Sequence, residues 1–284
     1  MEIINRRQRM FSIARKLRRE NRSVAFVPTM GALHDGHLAL VKEARQSSDV
    51  VVVSVFVNPA QFNDIGDLER YPRDITSDSA TLAQYGVDYV FAPEESEIYP
   101  EGFSTYVYVE GVSEAMEGSA RPGHFRGVAT IVTILFNTVR PDKAFFGAKD
   151  AQQVAVIRRL TADLGFETEI VVVPTVREKS GLAMSSRNAN LSAEEREQAA
   201  VIYRALSEAA DAFAGGERNA SRLTEIVNAV IESEPLARID YVACVDAESL
   251  EPVDTIEDSE AIIAAAVFFG NVRLIDNVRL NRRQ

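Results

Sequence analysis

Between residues 23 and 173, apolar runs alternate with amphipathic stretches. Val24 to Val27 is apolar and stops at Pro28; Leu38, Leu40 and Val41 resume an apolar pattern after a short loop. This predicts a buried strand, a tight turn and a helix running to about Gln46. Asp49 to Val57 is nearly all apolar after its first residue, as in a strand buried on both faces of a parallel sheet. A polar segment at Tyr71-Pro72-Arg73-Asp74 leads into a helix through about Tyr85, and Val87 to Phe91 reads as another strand. Glu94 to Tyr108, with Pro100 and Gly102, reads as a loop. Met116 to Gly127, with Gly118, Pro122 and Gly123, reads as a mobile one. Val128 to Val139 predicts an apolar helix and Lys143 to Phe146 a strand. Gln152 to Leu164 predicts a helix capped by Gly165, and Glu169 to Val173 a strand closed by Pro174. The alternation specifies an α/β fold, a doubly wound parallel sheet of Rossmann-like type.

The character changes after Thr175. Ser180 to Asn188 is small and polar. Ser192-Ala193-Glu194-Glu195 has the form of a capping box, opening a helix with Ile202, Leu206 and Phe213 as apolar anchors. Gly215-Gly216 stops it, and a second helix spans about Ala220 to Glu232. Ile239–Val245, Ala261–Phe269 and Val272–Ile275 read as strands of a small antiparallel sheet. The expected organisation is a nucleotide-binding domain over residues 1–175 and a smaller α+β domain over 176–284.

Bulk properties narrow the function. The net charge of −11 opposes broad nucleic-acid or anionic-membrane binding, which needs basic surface. A single cysteine, Cys244, excludes an internal disulfide framework and a cysteine-based zinc site. It sits in an apolar strand, where packing is the expected role. A reducing, cytoplasmic setting follows as the expectation. No apolar stretch approaches the ~20 residues of a membrane helix. The Arg-rich start (Arg6, Arg7, Arg9, Arg15, Arg18, Arg19, Arg22) reads as the solvated face of a first helix rather than a transit peptide.

Two of the three histidines, His34 and His37, sit in the first strand-to-helix turn. In an open α/β sheet such turns bind ligands, and a helix N-terminus offers N–H groups to phosphate. Imidazoles beside it can donate to a phosphate and stabilise transition-state charge. A metal site and an ordinary turn are the other readings of the pair. Asn58 and Gln61 follow the second strand with uncharged amides suited to a carboxylate or hydroxyl. Gly147-Ala148-Lys149-Asp150 occupies another such turn. Lys149 there offers a point charge for phosphate and Asp150 an acceptor for ribose hydroxyls, although the P-loop spacing is absent. Ser185, Ser186 and Arg187 supply two hydroxyls and a forked donor suited to a triphosphate. His124 reads as local structure. A Ser-His-Asp hydrolase is unsupported, because no Gly-x-Ser-x-Gly elbow is present.

Taken together, six segments resemble the pantothenate synthetase (pantoate–β-alanine ligase) family of the nucleotidyltransferase superfamily. They are residues 28–37 with the His-x-Gly-His motif, 57–62, Tyr71-Pro72-Arg73, 121–127, 146–153 and 184–188, in family order. The His-x-Gly-His motif alone is shared across the superfamily; the set is specific. The resemblance implies ATP-dependent condensation of (R)-pantoate with β-alanine through a pantoyl adenylate, releasing pyrophosphate and then AMP, with magnesium accompanying the triphosphate. It implies that Met30, Gly31, Ala32, Leu33, His34, Asp35, Gly36 and His37, with Gly147, Ala148, Lys149 and Asp150, line the ATP site. Val176 would contact adenine, and Met184, Ser185, Ser186 and Arg187 would close over the phosphates. His37, His34, Lys149 and Arg187 become the catalytic group. Gln61, Gln153 and Asn58 would hold pantoate, with Gln61 also near β-alanine. Family members often carry paired acids in the helix after Tyr71-Pro72-Arg73; here the stretch reads Ser77-Asp78, leaving Asp78 as a water-mediated magnesium contact. The family also implies a homodimer, small-molecule substrates only, and neither nucleic acid nor membrane as partner. A simple adenylyl- or cytidylyltransferase and a tRNA-charging module are the competing readings.

Overall fold

The computed structural model describes residues 1–63, 65–257 and 260–281. The chain groups into two compact units, residues 1–148 with 156–174, and residues 149–155 with 175–284.

The first unit contains β1 (Glu2–Ile4), α1 (Arg7–Arg19), β2 (Val24–Thr29), α2 (Asp35–Ser47), β3 (Val50–Val55), α3 (Ile65–Arg70), α4 (Ile75–Gln84), β4 (Tyr89–Phe91), α5 (Glu95–Ile98), α6 (Glu117–Ala120), α7 (His124–Val139) and β5 (Lys143–Gly147). It also holds most of α8 (Ala151–Asp163), and β6 (Glu169–Val173). The six strands form one parallel sheet in the order β1-β4-β3-β2-β5-β6. Val24 to Val27 and Val50 to Val53 are buried, as expected of central strands covered on both faces. Strand order reverses between β2 and β5, so the ligand crevice of such a sheet lies where these two strands end. The turn bearing His34 and His37 leaves β2 there, and Gly147 ends β5.

Three differences from the sequence expectation have physical causes. β1 has only three residues and joins the sheet through β4, too short to carry a period. Residues 116–127 are not a continuous loop. α6 occupies 117–120, α7 begins at His124, and Glu117, His124 and Phe125 are buried. Close packing accounts for one glycine of this stretch: a Cβ on Gly118 would stand 1.8 Å from the Ser113 carbonyl oxygen. The segment after Pro59 holds a short 3-10 turn, Pro59–Gln61, capped by the Asn58 side chain.

The second unit contains α9 (Ala193–Ala199), α10 (Val201–Ala214), α11 (Ala220–Glu232), β7 (Ala237–Asp246), β8 (Ala261–Phe269) and β9 (Val272–Leu280). β7-β8-β9 is antiparallel, and Ile263, Ala265, Val267 and Phe269 of β8 share a core with Ile202, Leu206, Leu223 and Val227. The Ser192–Glu195 capping box forms, with Glu195 N–H donating to Ser192 Oγ and Ser192 N–H to Glu195 Oε2. The expected single helix breaks at Ala200 into α9 and α10. β9 runs five residues beyond the expected Ile275, and Asp276 within it is buried and paired with Arg177. Among the described residues no helix is long and apolar enough to cross a membrane.

Candidate active site

The turn after β2 is built by backbone geometry that few residues tolerate. Gly31 has φ +82° and Ala32 φ +52°. A Cβ on Gly31 would also lie 2.8 Å from Asp78 Oδ2, so glycine is required twice over. Ala32 in the left-handed region costs about 1–2 kcal/mol, strain of the kind that gathers at functional turns. Asp78, buried on α4, holds the turn: its Oδ2 accepts the Ala32 N–H at 3.1 Å and its Oδ1 the Leu33 N–H at 3.0 Å. Thr29 Oγ1 ties the strand end to the Ser54 carbonyl and accepts the Gly31 N–H.

His34 is the N-cap of α2, its Nδ1 accepting the Gly36 N–H at 3.1 Å, and His37 Nδ1 accepts the His34 N–H at 3.4 Å. Backbone N–H can only donate, so each Nδ1 is the lone-pair nitrogen and each Nε2 carries the proton. The rings lie 4.2 Å apart at the start of a helix whose dipole favours an anion. This set of donors is suited to phosphate oxygens.

Gln61 is held on three sides. Its Oε1 accepts from Asn58 Nδ2 at 3.1 Å, and its Nε2 lies against the Met30 sulfur. Its backbone carbonyl accepts from His124 Nδ1 at 2.8 Å and from Arg121 at 3.2 Å. Asn58 does not fit the role of a substrate contact. It is 1% exposed, its Oδ1 accepts from Tyr99 Oη and Ala60 N, and its Nδ2 donates to Gln61 and to the Gly127 carbonyl. Those four bonds exhaust a carboxamide, so Asn58 supports Gln61 instead. Burial pushes the Tyr99 phenol well above its ordinary pKa, so Tyr99 remains a donor. Tyr99 was not singled out from sequence, and the segment 121–127 was marked there without the roles that Arg121 and Gly127 have beside Gln61.

In the second unit, Lys149 and Ser185 line one small cleft with Tyr203 and Asp276. The Lys149 ammonium is 3.5 Å from Asp150, and its carbonyl accepts from Asn277 Nδ2 at 2.8 Å. Gln152 is buried and Gln153 half-buried at the start of α8. Val176 and Met184 are joined by Met184 N–H donating to the Val176 carbonyl. Ser185 caps the 3-10 turn that carries Ser186 and Arg187. Arg177 fixes this hairpin, paired through both nitrogens with Asp276 and stacked 3.8 Å from the Tyr203 ring centroid.

Both Asp78 oxygens accept backbone N–H groups of the turn, so holding the turn is the role its geometry supports, and a water-mediated magnesium contact would use the lone pair left on each oxygen. Among the described residues no three His, Cys, Asp or Glu gather as a metal site.

The family pattern described as pantoate-beta-alanine ligase matches residues 2–279. The chain belongs to that family. As a member it is an enzyme, a ligase of pantoate and β-alanine. A pantothenate synthetase from Heliobacterium modesticaldum is 52% identical over 98% of this chain and 99% of its own. One from Pelotomaculum thermopropionicum is 50% identical over 99% of this chain and 100% of its own. The crystal structure of the Thermus thermophilus pantothenate synthetase superposes with a TM-score of 0.91 at 46% identity, covering 98% of this chain and 99% of that one. The Francisella tularensis ligase, complexed with beta-gamma ATP and beta-alanine, gives a TM-score of 0.80 at 36% identity, covering 98% of this chain and 97% of that one.

Proposed function

We propose that the chain condenses (R)-pantoate with β-alanine in two steps that use the residues described above. In the first, a pantoate carboxylate oxygen attacks the α-phosphorus of ATP, the bond to the β-phosphate bridge breaks, and pyrophosphate leaves. In the second, the neutral amine of β-alanine attacks the acyl carbon, the bond to the adenylate oxygen breaks, AMP leaves, and the amine gives up a proton.

A carboxylate is already a nucleophile, so the first barrier is the approach of two anions. His34 and His37 donate through Nε2–H to phosphate oxygens at the positive end of α2, and Lys149 and Arg187 add charge. Met30 to His37 and Gly147 to Asp150 line ATP, Val176 meets adenine, and Met184 to Arg187 cover the phosphates. Gln61 and Gln153 hold pantoate, and Gln61 reaches β-alanine. Asn58 is assigned to Gln61 rather than to substrate. ATP enters as its magnesium complex, the ion carried by the phosphates; no residue of the chain is assigned to it. The working form is taken as a cytoplasmic homodimer.

The observation that supports this reading most is the histidine capping box, which makes both rings donors at a helix N-terminus. Pantoate-dependent exchange of pyrophosphate into ATP tests the first step, and AMP release that needs both pantoate and β-alanine tests the second. Release of a stable nucleotide conjugate without an amide product would overturn it in favour of a nucleotidyltransferase.

A further inference from the structure

Gln61 can meet a substrate with its carbonyl or with its amide N–H, and these recognise opposite groups. The structure fixes the choice through a chain of side chains. Tyr99 Oη donates to Asn58 Oδ1 at 2.7 Å, Asn58 Nδ2 donates to Gln61 Oε1 at 3.1 Å, and Gln61 Nε2 turns toward Met30. The chain has a direction. Asn58 Oδ1 also accepts a backbone N–H, from Ala60 at 3.3 Å, and Asn58 Nδ2 also donates to a backbone carbonyl, that of Gly127. Tyr99 is therefore the donor, and the shorter of the two bonds to Oδ1 is its own.

The Tyr99 ring is itself held, edge-on to Phe103 at 5.0 Å and tilted against Phe56 at 6.3 Å. Its backbone N–H donates to Glu95 O, closing α5. A rigid phenol thus fixes the first link of the relay.

The geometry points to Tyr99 as a positioning residue for the ligase reaction: through Asn58 it fixes the orientation of the Gln61 amide, with Oε1 turned to Asn58, so that Gln61 meets pantoate through Nε2, as a donor. The substrate group opposite Gln61 is then an acceptor oxygen, of a carboxylate or hydroxyl. This rests on Gln61 being a pantoate residue. Tyr99 touches no substrate; its effect travels through two amides.

The test is a double-mutant cycle of Tyr99→Phe and Gln61→Ala, read as separate KM values for pantoate and ATP. The phenylalanine keeps the ring packing and removes only the hydroxyl. Tyr99→Phe is expected to raise pantoate KM by roughly 5- to 30-fold, leaving ATP KM within about twofold, because an acceptor buried beside Gln61 loses its stronger donor. In the Gln61→Ala background the same change is expected to alter pantoate KM by less than about twofold, since the group being positioned is gone. Multiplying effects, or equal losses for ATP and pantoate, would reduce Tyr99 to a structural residue and overturn the assignment. Wild-type pantoate KM in Tyr99→Phe would do the same. Wild-type pantoate KM in Gln61→Ala would instead remove the premise, and both readings would fall.

Discussion

Asp78 spans two backbone donors of the turn after β2, the Ala32 N–H at 3.1 Å and the Leu33 N–H at 3.0 Å, from inside the protein. Hydrogen bonds to a charged acceptor contribute about 1.5–3 kcal/mol each, and here they hold a residue in a strained conformation. Asp78→Ala is therefore expected to raise ATP KM by about 10- to 100-fold while the magnesium concentration for half-maximal activity stays unchanged. A shift in magnesium dependence with ATP KM intact would make the carboxylate a metal group instead. On the proposed function, His37→Ala and Lys149→Ala act on the chemistry. Each is expected to slow adenylate formation by roughly 100-fold or more with the fold retained, measured by pyrophosphate exchange and circular dichroism. Near-normal exchange in either variant would remove its role. At this scale the sequence was uneven in what it exposed. His34, His37 and Gln61 announce themselves by type and position. The work of Asn58 and Asp78 is invisible there, since only distances show that their polar atoms are already engaged.

Elements show the same division. β2, β3 and β8 carry apolar runs long enough to read directly, because strands covered on both faces have no reason to hold polar residues. The start of α7 was not legible, since the glycines around it resemble a loop until close packing gives their reason. A Cβ on Gly127 would stand 2.2 Å from the Ala60 carbonyl oxygen, in the turn that carries Gln61. Gly127→Ala is thus expected to cost about 1–3 kcal/mol and lower Tm by about 2–10 °C. It is also expected to raise pantoate KM more than ATP KM; an unchanged ratio would show that the turn does not transmit the strain. On β7, burial pushes the Cys244 thiol from about 9 up to about 11. A folded pKa above the unfolded one favours the fold below pH 9, and that advantage is lost as pH rises toward 11. Thiol labelling of the native protein is expected to stay slow at pH 8 and to become complete on denaturation. Fast native labelling would place Cys244 at the surface.

For the whole molecule, charge and chain path bear on function differently. A net charge of −11 supplies no general attraction for phosphate, so on the proposed function that affinity is local, in the donors after β2, Lys149 and Arg187. Chain path is the less obvious matter. The first unit has its own six-stranded sheet and apolar core, and the second has its own three-stranded sheet and core. Residues 149–155 nonetheless group with the second unit, the Lys149 carbonyl accepting from Asn277 on β9. A chain ending at residue 175 would keep the histidine turn and Gln61 but lose the partner of the Lys149 turn together with Ser185 to Arg187. Such a chain is expected to retain a cooperative melting transition, since its sheet is complete, and to lose pyrophosphate exchange by about 1,000-fold or more, since two of the four groups opposing the anionic approach are displaced or absent. Scanning calorimetry and the exchange assay read the two halves of that expectation separately. Exchange within tenfold of the full chain would show that His34 and His37 suffice, and would remove Lys149 and Arg187 from the catalytic group. Loss of the melting transition would show that the first unit depends on the second for its fold, and the exchange assay would then be repeated on the full chain with Arg187→Ala.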